Sequence, residues 1–324
     1  MSHQHLTPMN WIASAFFVLF ASMAGAQTTP VLTKVVIPFP PGGPVDIIGR
    51  IAADALRNQL KTTVTVENRQ GANGAVAINT IKQAPADGSH LLIVSSGMIT
   101  FSPHLDKTIG YDPQRDLAPI VNIAYADIGL VVANNVPANT LHEFITLAKT
   151  SATPLAMGSA GTGNLTHAYI ELFKDSAKVN ILHVPYKGAT PALTDVMGGQ
   201  IAGMFIGLSS ALPSAKAGKV KVLAVAGRRS AIAPEILTFN EQGFSGIEIL
   251  PWFAVMGPPG MSLQTRSAIA ASFARALEAE EIKTRLQSAG ATAWVLSGTE
   301  FQQMIQTESD TWKKLIADKK ISSD

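Results

Sequence analysis

Short apolar runs alternate with stretches of helical period along most of this chain. Lys34 to Pro38 reads as a buried strand that runs into Pro40-Pro41-Gly42-Gly43-Pro44, and apolar positions then recur at helical spacing from about Val45 to Leu60. Pro44 suits the first turn of that helix, where its missing N–H would have had no partner. Thr62 to Glu67 alternates β-branched residues like a strand, Gly71 to Gly74 is a loop, and a helix of small residues follows to about Ala84. Leu91–Ser95, Leu130–Ala133, Leu155–Gly158, Ile181–Val184, Gly203–Ile206, Val220–Ala226 and Phe253–Gly257 read as further strands. Helices are expected between them around Leu141–Thr150, Asn164–Lys174, Ala189–Met197 and Ser209–Ala217. Two helical regions close the chain, around Leu263–Ala289 and Thr299–Ala317. Strands alternating with helices predict parallel α/β layers.

At 324 residues the chain is long enough for two cores. No low-complexity linker separates them, so the two halves are expected to be joined by strands that cross between them, near Ile123–Asp127 and Glu248–Phe253. The first lobe would then be discontinuous, residues 27–125 with 251–324, and the second would be 126–250.

Composition narrows the classes. Hydrophobic residues make up 47% and charged residues 15%, which suits a globular protein. The formal net charge is +2 with no basic run or stripe, so nucleic acid is not an expected partner. The chain has no cysteine, which removes disulfides, thiol nucleophiles and thiolate metal ligands. Trp11 to Met23 is apolar and is followed by Ala24-Gly25-Ala26, the pattern of a secretory signal over residues 1–26 with Gln27 as the first mature residue. The run is short against the roughly 20 residues of a membrane span.

Three segments could carry chemistry. Phe39, Gly42, Gly43 and Asp46 stand where a strand's carboxyl end meets a helix N-terminus, a setting that favours an anion. Ser159, Gly161, Thr162, Gly163 and Asn164 repeat that setting in the second half, with His167 one turn into the next helix. This is not a P-loop, because Asn164 and Leu165 stand where Lys and Ser/Thr belong. Nor is it a nucleophile elbow, because Met157 stands where the first glycine belongs. His167 can be read as a backbone-bonded structural histidine or as a ligand contact. Tyr186 and Lys187, in Val184-Pro185-Tyr186-Lys187-Gly188, can be read as cleft groups or as loop packing and a surface charge. The acids are scattered at turns and helix starts, where capping is the ordinary explanation. No paired acids and no histidine–carboxylate set at metal spacing are seen, so neither a metal nor a cofactor is expected.

Taken in order, these segments resemble the Bug family, periplasmic binding components of tripartite tricarboxylate transporters. The markers are Val36 to Pro44 with Asp46, Val66-Glu67-Asn68-Arg69, Gly71-Ala72, Ala86-Asp87-Gly88, Tyr111-Asp112-Pro113, Gly158-Ser159-Ala160-Gly161 with His167, and Val184 to Gly188. The resemblance implies an α/β, two-lobe periplasmic-binding-protein fold of type II kind, with two crossover strands and a ligand cleft between lobes. It implies that a ligand carboxylate is held by the loops Phe39–Asp46 and Ser159–Asn164, partly through ordered water. The ligand's far end would meet residues around Ser95, Ser96, Gly97, Tyr186, Lys187, Gly188, Ile206, Gly207 and Leu208. It also implies membrane transporter subunits as partners, and with the leader pattern a periplasmic monomer is expected. Ile206-Gly207 replaces a pair that is often Asp-Ser in the family, which leans the distal pocket toward a flatter or more apolar acid.

Two other classes compete with a binding module. A hydrolase could use Ser159 with His167 or His183, but the elbow and an acid partner are missing. A transcriptional effector domain would share the lobes, but no helix-turn-helix precedes them.

Overall fold

A computed structural model of the chain describes residues 33–162, 164–319 and 321. The expected leader, residues 1–26, and Gly163 lie outside these described residues.

Among the described residues eleven strands form two mixed sheets. The first holds β1 (Thr33–Ile37), β2 (Val64–Asn68), β3 (His90–Ser95), β4 (Ala118–Ala126), β10 (Trp252–Gly257) and β11 (Ala291–Ser297), in the order β11-β4-β10-β3-β1-β2. The second holds β5 (Ile128–Ala133), β6 (Leu155–Ser159), β7 (Ile181–Pro185), β8 (Gly203–Gly207) and β9 (Val220–Val225), in the order β7-β6-β8-β5-β9. β1 pairs in parallel with β2 and β3, and β6 with β7 and β8, while β10 and β5 run antiparallel to their neighbours.

Helices cover both faces of each sheet. They are α1 (Pro44–Leu60), α2 (Ala75–Lys82), α3 (Ser102–Leu105), α4 (Pro113–Asp116), α5 (Leu141–Thr150), α6 (Leu165–Ala177), α7 (Ala189–Met197), α8 (Leu208–Lys216), α9 (Leu263–Leu277), α10 (Glu280–Ser288) and α11 (Gly298–Lys319). α1, α9 and α10 bury Ile48, Ala52, Phe273 and Leu286 against one face of the first sheet; α2 and the start of α11 bury Ile78 and Phe301 against the other. In the second sheet α5 and α6 bury Phe144 and Phe173 on one face, and α7 and α8 bury Val196 and Ala211 on the other. The result is two α/β lobes.

Asp127 alone separates β4 from β5, so the chain passes between sheets without a loop. The return runs from β9 to β10, and the passages are bonded to each other, Ala126 N–H to the Pro251 carbonyl at 2.8 Å. The residue pattern missed the length of β4 and all of β11. β11 is an edge strand of half-buried residues whose Ala-Thr-Ala-Trp pattern has no clean alternation. Helix Leu263–Ala289 is in fact two helices broken at Ala279, and a π-helical turn, Gly97–Phe101, follows β3.

α11 does not keep to one lobe. Phe301 packs on the first sheet, but Trp312 is fully buried in the second lobe's core, edge-on to Phe101 at 5.0 Å. Its 22 residues, about 33 Å of helix, reach both.

Candidate ligand cleft

The carboxyl ends of β1, β3, β6 and β8 all feed one cavity of about 450 Å³ between the two sheets. The wall from the first lobe is Phe39, Pro40, Pro41, Gly43, Pro44, Val45 and Ile48, then Ser95, Ser96 and Gly97. The second lobe adds Ala160, Asn164 to Thr166, Ala189, and Ile206 to Ser210 without Leu208. Ala126, Asp127 and Ile128 form the floor where the chain crosses, with Pro251 and Phe253 from the return.

Four helix N-termini converge here: the first residues of α1, α6, α7 and α8, or their N-caps, line the cavity. Only α6 has a side-chain cap, the Asn164 carboxamide oxygen accepting from Thr166 N–H at 3.0 Å. The N-caps of α1, α7 and α8 are Gly43, Gly188 and Gly207, which offer none. Pro44 has no N–H and the Leu208 N–H is spent on the Asp127 carbonyl, but the remaining first-turn N–H groups and the positive ends of the helix dipoles favour an anion in such a place. The remaining lining is mostly apolar, and among the described residues Asp127 is its one ionisable side chain.

Of the residues expected to touch ligand, Phe39, Gly43, Ser95, Ser96, Gly97, Asn164 and Gly207 line the cavity. Gly163 lies outside the described residues, and the remaining ones, Gly42 among them, are off the lining. Asp46 is buried and accepts from the Gly42 N–H at 2.9 Å, from Asn68 Nδ2 at 2.8 Å and from Arg50 Nε at 3.0 Å. Burial opposes its charge, but these donors outweigh burial and hold its carboxyl below the usual range. Asn68 Nδ2 also donates to the Phe39 carbonyl at 2.9 Å. Asp46 and Asn68 together therefore fix the shape of the loop whose far side meets the cavity.

Ser159 is fully buried, its Oγ 2.6 Å from His183 Nε2 and bonded to both the N–H and carbonyl of Gly161. Gly161, at φ +133°, closes this turn where a side chain would be strained. His167 is buried and stacks on His183. Burial brings both imidazoles down to about 4. Tyr186 turns away to donate to Asp195 at 2.7 Å; burial and that carboxylate push its phenol up to about 12. Lys187 and Thr162 are exposed and off the lining, and Leu208 is core. Among the described residues no acid is hydrogen-bonded to His183, and the hydroxyl is shut from the cavity, so the arrangement supports a loop and not a nucleophile.

Sequence reasoning missed Asp127, Asn73, Ser209, Ser210, Phe253 and Gly290 as lining residues. Asp127 had a signal, a lone acid between two apolar runs. The others come from elements distant in sequence and had none.

A family model described as "Tripartite tricarboxylate transporter family receptor" matches residues 48–321. The structure of periplasmic binding protein BugD is similar, with 26% identity and a TM-score of 0.76 over 90% of this chain and 98% of that one. Rpa4515 of R. palustris, solved with adipate, has 28% identity and a TM-score of 0.80 over 91% and 99%. MatC of Rhodopseudomonas palustris, solved with bound malate, has 28% identity and a TM-score of 0.73 over 89% and 99%.

Proposed function

This chain belongs to the tripartite tricarboxylate transporter receptor family, the Bug-type solute-binding proteins, and from that premise we propose that it captures a small carboxylate in the inter-sheet cavity for uptake. The observation that carries the reading is the convergence of four helix N-termini, three with glycine caps, on one largely apolar cavity. Neutral donors of this kind hold a carboxylate without a salt bridge, and hydrogen bonds to a charged group contribute about 1.5–3 kcal/mol each. The adipate and malate bound by similar proteins support the ligand class.

In this reading residues 27–125 and 251 onward form one lobe and 126–250 the other, hinged at the paired passages beside Asp127 and Pro251. Residues 1–26 are removed on export, and the mature protein works as a periplasmic monomer that delivers ligand to membrane subunits. No helix among the described residues is long and apolar enough to cross a membrane. A thermal-shift screen of mono-, di- and aromatic carboxylates, followed by calorimetry, tests the function: a saturable response to a carboxylate is expected, and none across the panel refutes it. Intact mass and size-exclusion of protein from periplasmic extract test processing and oligomeric state.

A further inference from the structure

Asp127 is 4% exposed, lines the cavity, and sits on the single-residue passage between β4 and β5. One carboxylate oxygen, Oδ2, accepts a short hydrogen bond from Ser230. The other, Oδ1, is buried and has no hydrogen-bond partner among the described residues. A buried acceptor left unmade costs about 1–3 kcal/mol, so a native fold retains one where something else completes it. The main chain at Asp127 is already engaged, its carbonyl accepting from Leu208 N–H at 3.0 Å, which fixes the residue in place.

The neighbouring lining shows what could complete it. Ala126, Ile128, Ile206 and Phe253 offer no donor from their side chains, and no Lys or Arg lines the cavity among the described residues. Ser209 and Ser210 line the same cavity but neither bonds Oδ1, so a ligand donor is the partner left, and the carboxylate turns into the cavity to meet it. A second carboxylate on the ligand would instead meet an acid in an apolar wall, where like charges repel strongly.

We propose that Asp127 is a specificity-determining residue that selects a monocarboxylate carrying a hydroxyl or ammonium donor at its far end, and that rejects dicarboxylates. This rests on the reading of the cavity as a carboxylate site. The carboxylate goes to the helix N-termini and the ligand's donor to Asp127 Oδ1, so one end of the cavity is specified by donors and the other by an acceptor.

The test is calorimetry with four probes of one chain length: hexanoate, ω-hydroxyhexanoate, ω-aminohexanoate and adipate. Wild-type protein should bind a donor-bearing probe about ten- to a hundredfold tighter than hexanoate, the effect of one hydrogen bond to a charged group, and adipate more weakly than hexanoate. Asp127→Asn should erase that preference and strengthen adipate by about tenfold. Thermal unfolding confirms that the variant is folded, and Ser230→Ala, which removes the partner of Oδ2 and the acceptor of the Ile232 N–H but leaves Oδ1 in place, should keep the ranking. Adipate bound as tightly as the hydroxy acid by wild type, or a ranking unchanged in Asp127→Asn, overturns the inference while leaving the carboxylate reading intact; in the second case Oδ1 is satisfied by water. Failure of every probe and of a wider carboxylate panel overturns both.

Discussion

Gly290, between α10 and β11, faces Ser209 on α8 so closely that a Cβ at 290 would lie 2.1 Å from the serine Oγ and 2.5 Å from its Cβ. These residues belong to different lobes and both line the cavity. The lobes therefore touch here, and only glycine allows the approach; its φ of +77° reinforces the requirement. Gly290→Ala should hold the lobes apart. Ligand affinity is expected to fall by at least about tenfold, with small-angle scattering showing less compaction on ligand addition. Unchanged affinity would mean that closure does not use this contact.

The imidazoles of His167 and His183 stack with centroids 3.9 Å apart and planes 7° from parallel. Burial is the main cause that lowers both to about 4 from 6.5, with Lys174 adding repulsion at His167 and His167 adding it at His183. Between those values the unfolded chain binds more protons than the folded one, so stability rises with pH there. It should be intact above about 6.5 and decline as pH falls toward about 4. Thermal melts over that range should show the loss. His183→Gln, which can still bond Ser159, should flatten the profile, and an identical slope in the variant would place the effect elsewhere.

Asn68 braces the first loop without reaching the cavity. Asn68→Ala removes its bonds to the Phe39 carbonyl and Asp46, and calorimetry should show affinity lowered about tenfold by loosening of the loop. Asn68→Asp should do worse, because it sets a second carboxylate where an amide donates to Asp46 at 2.8 Å. Equal affinity in all three proteins would show that the loop holds its shape without this brace.

Ser159→Ala and Lys187→Met separate loop support from surface charge. The serine's bonds lie within its own turn and to His183, so its loss should cost about 0.5–1.5 kcal/mol, chiefly in stability. Lys187 is exposed and off the lining, so its replacement should change affinity by less than about twofold. A large loss on Lys187→Met would point instead to a charge-paired site around Tyr186 and Lys187.

Much of this protein was legible in its residues. Hydrophobic period fixed most strands and helices, because burial of one face requires it. The Pro/Gly turn at Pro40 to Pro44 and the glycine turn at Gly158 to Asn164 marked the two helix starts that meet the cavity, because backbone donors at such junctions are a local property. Tertiary structure alone decided the rest. Which side of each loop faces the ligand depends on partners far away in the chain: Asp46 is turned inward by Asn68, and Ser159 by His183. β11 forms only because β4 is there to pair with it, and Trp312 finds its core in the lobe opposite to Phe301. Asp127 was visible as a lone acid between apolar runs, but that one of its oxygens is buried without a partner is a fact of packing, set by what surrounds a side chain and not by its neighbours in sequence.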